Sequence, residues 1–327
     1  MNHNRLGWLK RIGAPLVVGV LLLTVVGNLQ AISDYVRLYG YEAPSSIAAL
    51  AADTTMTAQA RRVFYLNHPE VDDRDAFNKA CTSRGEQTIV LGCYHSKDRG
   101  IFVFDVADDR LPGVEQVTAA HEMLHAAYDR LGTKERKSVN TQLQDFYDNH
   151  VTDSRIRDTV AAYQKSEPND VVNEMHSIFA TEIAQLTPEL EAYYQRYFTD
   201  RSKVVRLADS YQAEFTSRQN QVASYDTQLA TLKAQIDNNS STLRQQETAI
   251  SGQRKQLETY RSSGQTAAYN AAVPDYNTDV DAYNRLVQQT QTAITTYNQL
   301  VVKRNSIAME VRQLTQSISS QPETISQ

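Results

Sequence analysis

Tryptophan occurs once in 327 residues, cysteine twice, proline 8 times and glycine 12 times. So little Gly and Pro leaves few turns for a many-stranded sheet and favours long helices. Two cysteines cannot build the disulfide framework of a small secreted domain. Cys81 and Cys93 can close one short loop as a disulfide or stay as free thiols, with zinc ligation the weaker option. A basic excess is missing too: 33 Lys and Arg face 38 Asp and Glu, a net charge of −5, without the basic face of a nucleic-acid binder. Long apolar runs are confined to one place. No charged residue stands between Ile12 and Ser33, and Arg5, Lys10 and Arg11 precede that stretch. Its length suits a bilayer span of about 20 residues. The positive flank predicts a single-pass signal-anchor over 12–32, with a cytoplasmic N-terminus and an extracytoplasmic body. A cleaved signal peptide is the rival reading. Outside a cytoplasm, the Cys81–Cys93 disulfide becomes the favoured state.

Among the 7 histidines, two stand in Ala119-Ala120-His121-Glu122-Met123-Leu124-His125-Ala126-Ala127. On a helix His121 and His125 project from one face, one turn apart. Two neutral imidazoles so placed can grip Zn²⁺, and Glu122 can reach the metal's water as general base. Ile101–Val106 reads as a strand, Leu111-Pro112-Gly113 as a turn, and 114–131 as the helix that bears the motif. Thr88–Tyr94 reads as a second strand, and Ser96–Gly100 joins the two as a hairpin. Beyond Leu131 the pattern is helical, over 134–150, 153–165, 170–186 and 189–200.

A catalytic zinc takes three protein ligands and leaves a place for water. The metzincin pattern would put Gly and His where Tyr128 and Leu131 stand, so that subclass is excluded. The helix over 170–186 offers two carboxylates. Glu174, in Asn173-Glu174-Met175-His176-Ser177, resembles the ligand helix of thermolysin-like gluzincins and is the first candidate. Glu182, in Phe179-Ala180-Thr181-Glu182, resembles that of other gluzincins and is the alternative. Whichever does not bind metal can orient a histidine. His176 reads as a packed or exposed side chain.

Through His121, Glu122, His125 and the later Glu helix, roughly residues 85–190 resemble the gluzincin zincin metallopeptidases. The resemblance implies a zincin-like fold, a Zn²⁺ cofactor and peptide-bond hydrolysis of a peptide or protein substrate. Glu122 would take the proton from water and pass it to the leaving amine. The outer edge of the small sheet could bind an extended peptide by strand addition. Ile178 stands where thermolysin-like members carry an Asp, a departure from their pattern. For an oxyanion donor, Tyr94, His95, Tyr128 and His150 are candidates by residue type.

From about Lys203 the composition turns to Gln, Thr, Ser, Asn and Ala with a seven-residue repeat. Phe215, Val222, Leu229, Ile236, Leu243, Ile250 and Leu257 make one seam, weakened by Asn239, Gln246 and Gln253. After a turn at Arg261–Gln265, Val273, Val280, Val287, Ile294 and Val301 make a second, with Tyr276, Tyr283 and Tyr297 between them. This predicts an antiparallel helical hairpin, open to a coiled-coil partner or to homo-oligomerisation, with a frayed tail from Ser317. The expected fold class is α+β, mainly α. Its parts are a basic start at 1–11, the anchor at 12–32, a zincin-like domain at 33–202, the hairpin at 203–320 and a disordered tail at 321–327. The reading that competes with a membrane-anchored metallopeptidase is a non-catalytic envelope scaffold or regulator with a structural or degenerate zinc site.

Overall fold

A computed structural model describes residues 29–81, 90–97 and 100–320. Over these residues the chain is mainly helical, with a three-stranded sheet and a long helix pair. It divides into two compact units, one running to Tyr211 and resuming at Ser317, the other formed by Gln212–Gln316.

The first unit begins with α1 (Leu29–Leu38), α2 (Ser45–Asp53) and α3 (Ala58–Leu66). Then come β1 (Glu70–Asp72), α4 (Arg74–Ala80), β2 (Gly92–His95) and β3 (Gly100–Phe104). The helices α5 (Val114–Asp129), α6 (Thr133–Asn149), α7 (Ser154–Ser166), α8 (Val171–Glu182) and α9 (Pro188–Tyr194) follow, and α10 (Arg201–Ser262) starts in this unit. Local chemistry sets several of these starts. Thr57, Asp73, Asp153 and Thr187 each accept a backbone N–H from the first turn of the helix that follows, satisfying donors that the helix leaves open. Pro188 follows Thr187 at the first position of α9, where a missing N–H costs nothing.

β3 is the middle strand, in the order β1-β3-β2, and buries Ile101, Val103 and Phe104. The expected hairpin forms as the antiparallel pair β2–β3, with Gly92 opposite Val103 and Tyr94 opposite Ile101. Its first strand starts at Gly92 rather than Thr88, and residues 88–89 lie outside the described part. The parallel strand β1 went unread in the sequence, because three residues, two of them acidic, carry no alternation signal. Cys81 and Cys93 are joined as a disulfide that ties the end of α4 to β2.

α5 is the central element, packing against α8, α2, α3 and the sheet. It starts at Gly113, whose φ of 97° suits glycine and whose absent side chain leaves room for Leu207. Its Val117, Ala119, Ala120, Met123, Leu124, Ala126 and Ala127 are all buried.

The membrane span expected over 12–32 is corrected. Among the described residues no helix is long and apolar enough to cross a membrane. Residues 29–32 open the ten-residue α1, whose next turn buries Asp34 against both terminal nitrogens of the Arg130 guanidinium. That ion pair ties the helix to the rest of the first unit, while Ile32, Tyr35 and Val36 stay exposed on it. Residues 12–28 lie outside the described part, and the single-pass topology and compartment inferred from them are withdrawn.

The second unit is the expected hairpin of α10 and α11 (Thr266–Ile318). Along α10 the predicted seam residues from Phe215 to Ile250 are half-buried and Leu257 is buried. In α11 the register shifts: Thr290 and Ala293 are buried while Ile294 is 43% exposed. Thr290 and Ala293 are three residues apart, one short of the alternating spacing that would have kept Ile294 inside. The frayed tail is corrected for residues 317–320. Ile318 and Ser320 are buried, the Asn78 amide donates to Ser320 O, and the Ser317 hydroxyl donates to Asp108. Residues 321–327 lie outside the described part.

One buried side chain holds the end of α8. Arg201, 7% exposed, donates to the carbonyls of Ala180, Ile183 and Ala184 and to both oxygens of Glu191. Arg201→Ala would orphan the three carbonyls, and the expected loss is about 3 kcal/mol of stability. Chemical denaturation measures this, and a loss under about 1 kcal/mol would contradict the capping role.

Candidate metal centre

His121 and His125 stand one turn apart on α5, with ring centroids separated by 4.8 Å. The packing of α8 on α5 brings Glu174 between them. His121 Nε2 is 3.5 Å from Glu174 Oε2, and His125 Nε2 is 3.4 Å from Glu174 Oε1. A nitrogen and an oxygen bound to one zinc at 2.0–2.1 Å stand about 3.3–3.4 Å apart, close to both spacings, and one donor atom from each of the three residues lies within 4.8 Å of the others. Glu174 is 6% exposed, and its Oε2 is buried and accepts no hydrogen bond. Leaving an anionic oxygen so placed costs at least about 1–3 kcal/mol, which a cation would offset. The donor set therefore fits a zinc ion.

Burial pushes the Glu174 carboxyl up, but His125, His121 and the Tyr163 hydroxyl outweigh it and hold the group below the usual carboxylate range. Asp170, at the N-terminus of α8, moves the other way. Burial and the neighbouring Glu174 and Glu167 raise it, against the Asn173 amide that donates to both its oxygens.

Glu182, the other sequence candidate, is not brought to the histidines. Its carboxylate is held by Arg155 of α7 at 2.5 Å. His176 is fully buried against the rings of Tyr128, Tyr193 and Tyr194, with Nε2 2.9 Å from the Tyr193 hydroxyl. Burial above all, with His125 and His121 adding to it, pushes its pKa down to about 3, so it is a neutral core side chain.

The three donors line a cleft of about 370 Å³, one wall of which is Leu91–His95. Among the described residues β2 is an outer strand paired only with β3, so this wall presents a strand edge. Glu122, 6% exposed, lines the same cleft and packs beside Gly92 of that wall. It fits there because position 92 has no side chain. A Cβ on Gly92 would come within 2.7 Å of Glu122 Oε1 and 2.5 Å of Thr118 Cγ2. No local pattern singles out this glycine, since its role depends on a helix 26 or more residues away.

Of the four oxyanion candidates, Tyr94 and His95 line the cleft. Tyr128 and His150 are placed elsewhere: the Tyr128 hydroxyl donates to Asn140, and His150 stacks on Phe146. Sequence reasoning missed Tyr163 of α7, which lines the cleft and hydrogen-bonds Glu174. No motif marks it; only the packing of α7 on α8 reveals it.

Replacing the two glutamates separately tests this arrangement. Glu174→Gln should weaken zinc binding by roughly a hundredfold or more, and Glu182→Gln by only a few-fold. Competition against a chromophoric chelator reads both, and the reverse order would move the third donor to Glu182.

Compared with known protein families, with curated proteins and with solved structures, the chain matches none of them.

Proposed function

We propose that the chain is a zinc-dependent peptidase of the gluzincin type, with His121, His125 and Glu174 as metal donors and Glu122 as general base. The observation that carries this reading is the Glu174 carboxylate, reaching one imidazole with each oxygen while Glu122 stands beside the set at a strand edge. A purely structural metal site has no use for a buried base there.

When bound, the zinc supplies Lewis acidity that polarises a peptide carbonyl and acidifies water. The chain's own groups do the rest. The outer edge of β2, which pairs with no other strand among the described residues, offers backbone N–H and C=O groups to an extended peptide, aligning its scissile bond along the cleft. Glu122, fixed against Gly92 and Thr118, takes a proton from the attacking water and hands it to the departing amine. Tyr163, which also lines the cleft, turns its hydroxyl from Glu174 to the oxygen that gains charge as the carbonyl is attacked. The disulfide keeps β2 fixed to α4, so the strand edge holds its place when peptide pairs with it.

Glu122→Gln should lower peptide hydrolysis by about 10²–10⁴-fold while one zinc per chain is retained. Tyr163→Phe should lower kcat by roughly 10²-fold with little change in KM. Both are read by cleavage of an unstructured protein substrate, together with metal content of the same samples. A chain that binds no zinc, or a Glu122→Gln variant that cleaves as fast as the original, would sink the proposal.

A further inference from the structure

A second group of ligating side chains stands apart from His121, His125 and Glu174. Cys81 ends α4, and Cys93 and His95 are two residues apart on β2, hence on one face of that strand. The two sulfurs and an imidazole nitrogen all lie within 4.8 Å of one another. His95 Nε2 is 3.4 Å from Cys93 Sγ and 2.9 Å from Ala80 O. All three side chains line the cleft and can be reached from it. Joined as they are, the sulfurs carry no charge and are poor ligands. Separated, they would add two thiolates to a nitrogen, a donor set suited to zinc and unsuited to hard cations such as calcium or magnesium.

We propose that, when a dithiol reduces the Cys81–Cys93 bond, Cys81, Cys93 and His95 bind a Zn²⁺ ion of their own. In the first step a thiolate of the dithiol attacks one sulfur and the S–S bond breaks. The second thiol then closes the reductant into a cyclic disulfide, and the protein gains two electrons and two protons as two thiols. In the second step Zn²⁺ displaces the two thiol protons to solvent, and His95 contributes the Nε2 lone pair with its proton on Nδ1. His95 then ceases to donate to Ala80 O, and water takes the fourth position. The consequence is that β2 stays fixed to the end of α4 in either redox state, by a covalent bond or by a metal. The site does not depend on the peptidase reading, because none of its ligands belongs to the first set.

The test uses the full chain and Co²⁺ as the spectroscopic probe. Oxidised protein is compared with protein reduced by dithiothreitol and desalted without oxygen. The reduced chain should bind one Co²⁺ more than the oxidised chain, and the added ion should bring a near-ultraviolet sulfur-to-cobalt charge-transfer band. His95→Ala should weaken that added ion by about tenfold or more, since even groups behind the ligands contribute 10–100-fold. His121→Ala should remove an ion while leaving the sulfur band unchanged, which separates failure here from failure of the first site. Equal stoichiometry in the two redox states would overturn the proposal. So would a sulfur band that His95→Ala leaves intact, since that marks two unorganised thiols. Should reduction alone diminish the near-ultraviolet circular dichroism of the fold, Zn²⁺ is expected to restore it, and failure to restore it counts against the site.

Discussion

A buried carboxylate needs a positive or hydrogen-bonding partner for each oxygen, and Glu174 has one oxygen without a hydrogen bond. Much of the first unit is arranged around that demand. α5 supplies the two imidazoles from one face, α7 supplies the Tyr163 hydroxyl, and Arg201 holds the carbonyls at the far end of the helix that carries the glutamate. With a dication among them, charge and coordination are both satisfied; with none, the carboxylate leans on two imidazoles and one hydroxyl.

How the site could be read in the sequence follows from the range of each interaction. His121, Glu122 and His125 fall within one stretch of five residues, so helical periodicity is enough to place them together. The choice between Glu174 and Glu182 was open because α8 is buried from Val171 through Thr181 except at Val172, and a helix covered on almost all sides has no polar face to orient it. Glu182 is decided by Arg155, 27 residues earlier, and that partner cannot be seen from local pattern. Gly92 and Tyr163 were invisible for the same reason. Their roles are set by what packs on them.

Composition led astray in one place and register in another. An uncharged apolar stretch suggested a span reaching residue 32, yet α1 turns a carboxylate inward at Asp34 to meet Arg130. Mean apolarity along a window says nothing about a single buried ion pair at its edge. The heptads of α10 and α11 were legible because their period is short and repeated many times. Ile294 was misplaced because one short step, from Thr290 to Ala293, rotates the seam away from the extrapolated position.

The first unit resumes at Ser317 after the second has intervened, so its last contacts join residues far apart in sequence, such as Asn78 with Ser320. For a flexible chain, bringing together the ends of a loop this long would cost about 4 kcal/mol in entropy. α10 and α11 change that cost, because a hairpin zipping outward from the turn after Ser262 returns the chain through a series of local steps. Ile318 is then delivered to its buried position by helix growth instead of by a random search. The polar residues in the seam, Gln246 and Gln253 among them, thus bear on how readily the hairpin zips as well as on its stability once formed.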